Sequence, residues 1–113
     1  VFLCPTRHDT QGVSMCEAMA CGMVCVTNKN SSIPEYLDES SGYLTDSLSS
    51  RKIATLLKEA CQDEDRFGMK SEHASKRVRS QCSFTNTIER ETKILRDFRD
   101  SCCAPEKRLV LGS

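Results

Sequence analysis

Two short apolar runs, Val1-Phe2-Leu3-Cys4 and Met23-Val24-Cys25-Val26-Thr27, constrain this chain more than any other feature. Neither alternates apolar with polar residues, and both are too short for a helix. Such segments suit strands buried on both faces, as in a parallel sheet. Parallel neighbours need a crossover, and the intervening sequence supplies one. Val13, Cys16, Met19 and Ala20 form an apolar stripe over about residues 13–21, and Gly22 stands where a C-terminal glycine would end a helix. Strand, helix and strand in that order make a βαβ unit, so the expected class is α/β.

The rest of the chain extends this unit. Asn28 to Ser32 is a polar loop. Ser32 is placed to cap a short helix with Ile33 and Pro34 in its first turn, and Glu35 is read there as a structural residue favoured by the helix dipole. Glu39-Ser40-Ser41-Gly42 reads as a turn, and Tyr43-Leu44-Thr45 as a third strand. From Ser50 the pattern becomes helical. Ile53, Leu56, Leu57, Ala60 and Cys61 recur at helical spacing behind Ser49 as N-cap. A second helix is expected over residues 65–79, with Gly68 inside it. A third is expected after Phe84, capped by Thr85 and striped by Ile88, Leu95 and Phe98. The expected architecture is a partial Rossmann-like parallel sheet of about three strands followed by C-terminal helices. One domain over residues 1–100 and a tail over 101–113 are expected. Because Val1 already lies in an apolar run, the chain is expected to begin inside a larger protein.

Composition removes several classes of function. Sixteen basic and sixteen acidic residues cancel to a formal net charge of zero, which argues against nucleic acid as the partner. No apolar run approaches the roughly 20 residues of a membrane span. There is no Trp, so an aromatic platform for bases or sugars is not expected. Eight cysteines invite a metal or redox reading, but no C-x-x-C pair exists and only His8 and His73 could assist. The thiols are read as reduced and cytoplasmic, with Cys4, Cys16, Cys25 and Cys61 as small buried hydrophobes. Met15, Met19 and Met23 are read as core, and Lys76-Arg77-Val78-Arg79 as a solvated helix face rather than a contact for anionic lipid. His8 beside Asp9 is set aside as a general base.

The segment with chemistry in it is Pro5 to Gly22, which leaves the first strand and opens the first helix. In open α/β sheets ligands bind beyond the carboxyl ends of the strands. Gly12 permits close approach of a ligand to the backbone, and the free amides of the first helical turn favour an anion such as a diphosphate. Asp9 on the loop and Glu17 on the helix are separated by seven residues. Ionised carboxylates accept several hydrogen bonds and suit vicinal hydroxyls. A sugar nucleotide would use both features, although two acids at this spacing are also common on a solvated surface.

Taken together, Pro5-Thr6, Asp9, Gly12, Glu17-Ala18-Met19-Ala20, Gly22 and Val24-Cys25-Val26 resemble the acid-x7-acid motif of the GT-B retaining glycosyltransferases. The likeness is to glycosyltransferase family 4 (group 1), in its C-terminal donor-binding half. Ile33-Pro34-Glu35, Ser41-Gly42-Tyr43-Leu44, Ile53-Ala54, Leu56-Leu57 and Phe84 resemble the segments that follow in that family. The resemblance covers roughly residues 1–100. It implies transfer of a sugar from a nucleotide-sugar donor to a glycan or lipid-linked acceptor, with retention, no cofactor and no metal. It implies that Glu17 binds ribose hydroxyls and Asp9 donor-sugar hydroxyls, as the catalytic pair. The amides of Thr10, Gln11, Gly12 and Val13 would hold sugar or diphosphate oxygens. The chain departs from the family in carrying Asp9 for Glu, in Asp9-Thr10-Gln11-Gly12 for E-G-F-G, and in Ser31-Ser32 for glycines. The family's basic phosphate-binding pair and acceptor domain are not in this sequence, so the isolated chain is expected to be inactive. Peripheral membrane contact is left to the missing part. A non-catalytic α/β interaction module derived from such an enzyme is the alternative.

Overall fold

The computed structural model describes residues 1–9 and 12–103. They form two compact units, residues 1–83 and the segment from Phe84. In the first unit the order is β1 (Phe2–Leu3), α1 (Val13–Ala20), β2 (Cys25–Asn28), α2 (Ile33–Tyr36), β3 (Gly42–Thr45), α3 (Ser50–Gln62) and α4 (Glu64–Gln81). The second unit is one helix, α5 (Phe84–Cys102). Helix α5 begins at Phe84 itself, one residue before the expected cap, and runs through Ser101 and Cys102. The remainder of the expected tail, 104–113, lies outside the described residues.

The three strands are parallel in the order β1-β2-β3, with Phe2 opposite Cys25 and Val26 opposite Tyr43. The α/β, Rossmann-like expectation holds. Both faces of the sheet are covered, which explains why Val24, Cys25 and Val26 are apolar in succession. On one face Cys25 and Leu44 meet Met15 and Met19 of α1, Ile33 and Leu37 after it, and Ala74 and Val78 of α4. On the other, Val24, Val26 and Tyr43 meet Ile53 and Ala60 of α3, with Leu56, Leu57 and Phe67 alongside.

Several packing expectations need correction. The buried face of α1 is Met15, Ala18 and Met19, whereas Val13 is exposed and Cys16 half-buried. The sheet takes Met15 and Met19, one turn apart, while Cys16 and Ala20 pack at the edge of the core and Val13 faces outward. Met23 is also exposed, because the chain has turned at Gly22 before β2 begins. Of the four cysteines expected inside, only Cys25 is buried, and Cys61 is exposed at the last turn of α3. The stretch 76–79 is a solvated face only in part, at Lys76 and Arg79. Val78 is buried, Arg77 pairs with Asp38, and the Arg79 guanidinium donates twice to the Ala20 carbonyl at 3.2 and 2.9 Å.

The caps also differ. Ser49 and Ser32 stand at the N-caps of α3 and α2 without a side-chain cap bond, while Asp63 caps α4 by accepting from the Arg66 amide at 3.0 Å. Helix α4 closes carbonyls at the end of α1: Ser71 Oγ donates to Gly22 at 2.6 Å and Ser75 Oγ to Ala20 at 3.4 Å. Unsatisfied carbonyls at a helix end must find donors, and here the donors come from a neighbouring helix.

Gly42 opens β3 in a space that admits no side chain. A Cβ there would lie 2.7 Å from Leu37 Cδ1 and 3.0 Å from the Cys25 carbonyl oxygen. Gly42→Ala is expected to destabilise the fold by about 1–3 kcal/mol through overpacking, read as a lowered urea midpoint. A midpoint equal to the parent's would contradict this packing.

Asp38 organises the turn before β3. Its Oδ1 accepts from the Ser40 hydroxyl at 2.6 Å, the Ser40 amide at 2.9 Å and the Ser41 hydroxyl at 3.0 Å. These bonds, the Ser40 hydroxyl foremost, with the Arg77 guanidinium, outweigh burial and pull its carboxyl from 3.8 down to about 2. The folded state therefore binds this proton less readily than the unfolded chain does. The resulting stability is present above about pH 4 and fades as pH falls towards 2. Asp38→Asn is expected to flatten the stability–pH curve in that window and leave its slope above pH 5 unchanged, as measured by urea unfolding at stepped pH.

Candidate functional site

The loop between β1 and α1 is fastened to the polar residues that follow β2. Beyond the last strand bond, Cys4 N–H to Val26 at 3.0 Å, the Asn28 amide continues the pairing with side-chain atoms. Its Oδ1 accepts from Thr6 N–H and its Nδ2 donates to the Thr6 carbonyl, each at 2.8 Å. Thr27 Oγ1 donates to Cys4 at 2.8 Å, and Asn30 Nδ2 donates to the Arg7 carbonyl. Ser31 Oγ meets His8 Nδ1 at 3.0 Å, and Ser32 Oγ donates to the Asp9 carbonyl at 3.2 Å. Ser31 adopts φ 47, the left-handed conformation that glycine adopts without strain. Its place is where the resembled family carries glycine.

This fastening delivers Asp9 and Gly12 to the mouth of α1. Asp9 Oδ1 accepts from the Gly12 amide at 2.7 Å. Gly12 is buried and left-handed, φ 62 and ψ 46, and a Cβ on it would lie 3.3 Å from Met15 Cε. The left-handed conformation is what favours glycine here, and a Cβ would also press on the Met15 methyl. Of the amides expected to meet a ligand, that of Gly12 is thus engaged by Asp9. Val13 is the first residue of α1, where N–H groups lack intrahelical partners. Thr10 and Gln11 lie outside the described residues.

Glu17 is exposed on α1, one turn after Val13. Val13, Cys16, Glu17 and Ala20 form one wall of a cavity of about 490 Å³, and Val78, Arg79, Cys82 and Ser83 at the end of α4 form the other. The hollow is largely apolar, with the Glu17 carboxylate and the Arg79 guanidinium as its charges. Asp9 is not part of its lining; its carboxylate is within electrostatic reach of Cys16 in that wall. His8 is exposed beside Ser31 and does not line the cavity. Among the described residues no group of three His, Cys, Asp or Glu side chains could hold a metal ion, and no helix is long and apolar enough to cross a membrane.

Sequence reasoning missed Asn28, Arg79 and Cys82. The only sequence signal for Asn28 was a polar residue ending an otherwise apolar strand. For Arg79 and Cys82 there was none, since they reach the cavity from more than 55 residues downstream of α1.

The fold is shared with a sucrose-phosphate synthase from Thermosynechococcus elongatus, at a TM-score of 0.77 and 16% sequence identity. That match covers 88% of this chain and 26% of the other, so the chain spans about a quarter of the solved protein. No curated protein matches in sequence. The family described as "Glycosyl transferases group 1" matches residues 1–81, which carry all three strands, the Asp9 loop and Glu17. This chain belongs to the group 1 glycosyltransferases.

Proposed function

We propose that the chain is the C-terminal part of the donor-binding half of a GT-B glycosyltransferase. The enzyme takes a nucleotide-sugar donor and transfers the sugar to a glycan or lipid-linked acceptor with retention of configuration. Residues 1–100 belong to that half, and the protein works in the cytoplasm or at a membrane surface. The observation that carries the reading is the setting of Glu17: an exposed carboxylate on the wall of a 490 Å³ cavity, one turn behind the first amides of α1.

In this reading Glu17 accepts hydrogen bonds from the ribose hydroxyls. The amides of Thr10, Gln11 and Val13 and the N-terminal dipole of α1 meet diphosphate or sugar oxygens as negative charge develops on the leaving group, the Gly12 amide being held by Asp9. Asp9 has two tasks. It holds the Gly12 amide at 2.7 Å, fixing the loop, and it contacts hydroxyls of the donor sugar. Its side chain is one methylene shorter than glutamate. No metal or other cofactor is required. Catalysis needs segments that these 113 residues do not contain, so the isolated chain has little or no transferase activity.

Glu17→Ala in the full-length protein is expected to weaken nucleoside diphosphate binding by about 10- to 100-fold, the worth of hydrogen bonds to a charged group. Titration calorimetry with UDP, GDP and ADP in turn reads this. Because Glu17 is exposed, the melting temperature should stay within a degree or two of the parent's. Unchanged affinity in the variant would remove the role assigned to Glu17. Asp9→Asn keeps an acceptor for the Gly12 amide and loses the charge. Turnover should therefore fall more than nucleotide affinity, as resolved by separate kcat and binding measurements.

A further inference from the structure

The cavity wall contains two thiols that sequence spacing kept apart. Cys16 lies on α1 beside Glu17, and Cys82 is the C-cap of α4, 66 positions later. Both line the cavity, with the Cys82 thiol near enough to act on that of Cys16. Cys82 is exposed and Cys16 half-buried, so an oxidant dissolved in water meets Cys82 first. A second thiol pair, Cys4 and Cys25, lies close together across β1 and β2, but Cys25 is wholly buried under α1 with its Sγ 3.9 Å from the Met15 carbonyl. The two pairs thus differ in access.

We propose that Cys16 and Cys82 are an oxidisable dithiol that closes to a disulfide in the wall of the Glu17 cavity, with a hydroperoxide as oxidant. The Cys82 thiolate attacks the peroxide, forming an S–O bond as the O–O bond breaks, and the departing oxygen takes a proton to leave as water or alcohol. Cys16 then attacks the Cys82 sulfenic sulfur. The S–S bond forms, hydroxide departs, and it takes up the Cys16 proton as water. Two thiols lose two electrons and one peroxide gains them. Burial first, then the adjacent Cys82, pushes the Cys16 thiol up to about 11, so Cys16 is protonated at neutral pH and acts as the resolving thiol. The bond ties the last turn of α4 to α1 beside Glu17 and narrows the cavity. That consequence rests on the cavity's assignment to the donor; the disulfide itself does not.

The test uses the full-length protein treated with hydrogen peroxide, blocked with iodoacetamide and digested without reductant for mass spectrometry. The expected product is a Cys16 peptide joined to a Cys82 peptide, two hydrogens lighter than the pair and released by dithiothreitol. It should be absent in Cys82→Ser, with Cys4 and Cys25 alkylated after denaturation. Cys82 stopping at its sulfenic or sulfonic acid, or Cys16 joined instead to Cys25, would overturn the pairing. In the same samples, affinity for the nucleoside diphosphate that binds the reduced protein should fall at least tenfold on oxidation and recover on reduction. It should hold steady in Cys82→Ser. A disulfide formed without loss of affinity overturns the effect on the cavity. Failure of UDP, GDP and ADP alike to bind the reduced protein overturns the donor assignment and leaves the pairing to be judged on the peptides.

Discussion

One side-chain amide carries the geometry of this fold beyond the strands. Asn28 ends β2, and its Oδ1 and Nδ2 take the places of a backbone acceptor and donor opposite Thr6, at 2.8 Å each. Without it the β1–β2 ladder stops at Cys4, and the loop carrying Asp9 leaves the sheet with a half-buried amide and carbonyl unmatched. With it, the following residues pair in order: Asn30 with Arg7, Ser31 with His8, Ser32 with Asp9. This row of bonds keeps a short loop on one path across the strand ends. It also explains why Ser31 holds the left-handed conformation that a glycine would adopt at less cost.

Helix α4 does for the other edge of the unit what Asn28 does for the loops. Lys70 donates to the carbonyls of Glu39 and Gly42 and lies 4.7 Å from the Tyr43 ring centroid. Arg77 reaches Asp38 and the Glu35 carbonyl, and Ser71, Ser75 and Arg79 close the end of α1. The apolar contribution of α4 is small, with Ala74 and Val78 as its buried residues. Its long polar side chains act as donors to backbone groups that turns and helix ends would otherwise leave without partners.

The sequence made the class of the fold legible because the second strand is buried on both faces, so Val24, Cys25 and Val26 had to be apolar in succession. The α1 glycines were legible too. Gly22 turns the chain, and Gly12 is left-handed against Met15. What could not be read was which face of α1 turns inward. Val13, Met15, Cys16 and Met19 are all apolar, and the choice is made by the sheet, which takes Met15 and Met19. The same limit hid the far wall of the cavity. The positions of Arg79 and Cys82 depend on how α4 packs on α1, and no local pattern encodes a contact across that separation. Asp9 and Glu17 could be named from their spacing and family likeness. That Asp9 also fastens the Gly12 amide follows only from a loop conformation that spacing does not specify.

The closure of α1 by α4 has a consequence for engineering. Glu17 stands on a helix whose last carbonyls are held by side chains 49 to 59 positions away in sequence. A mutant library confined to the motif would therefore sample changes against a frozen backdrop. Co-varying Ser71, Ser75 and Arg79 would let the helix re-seat, and new specificities would be sought there as much as among the residues that line the cavity.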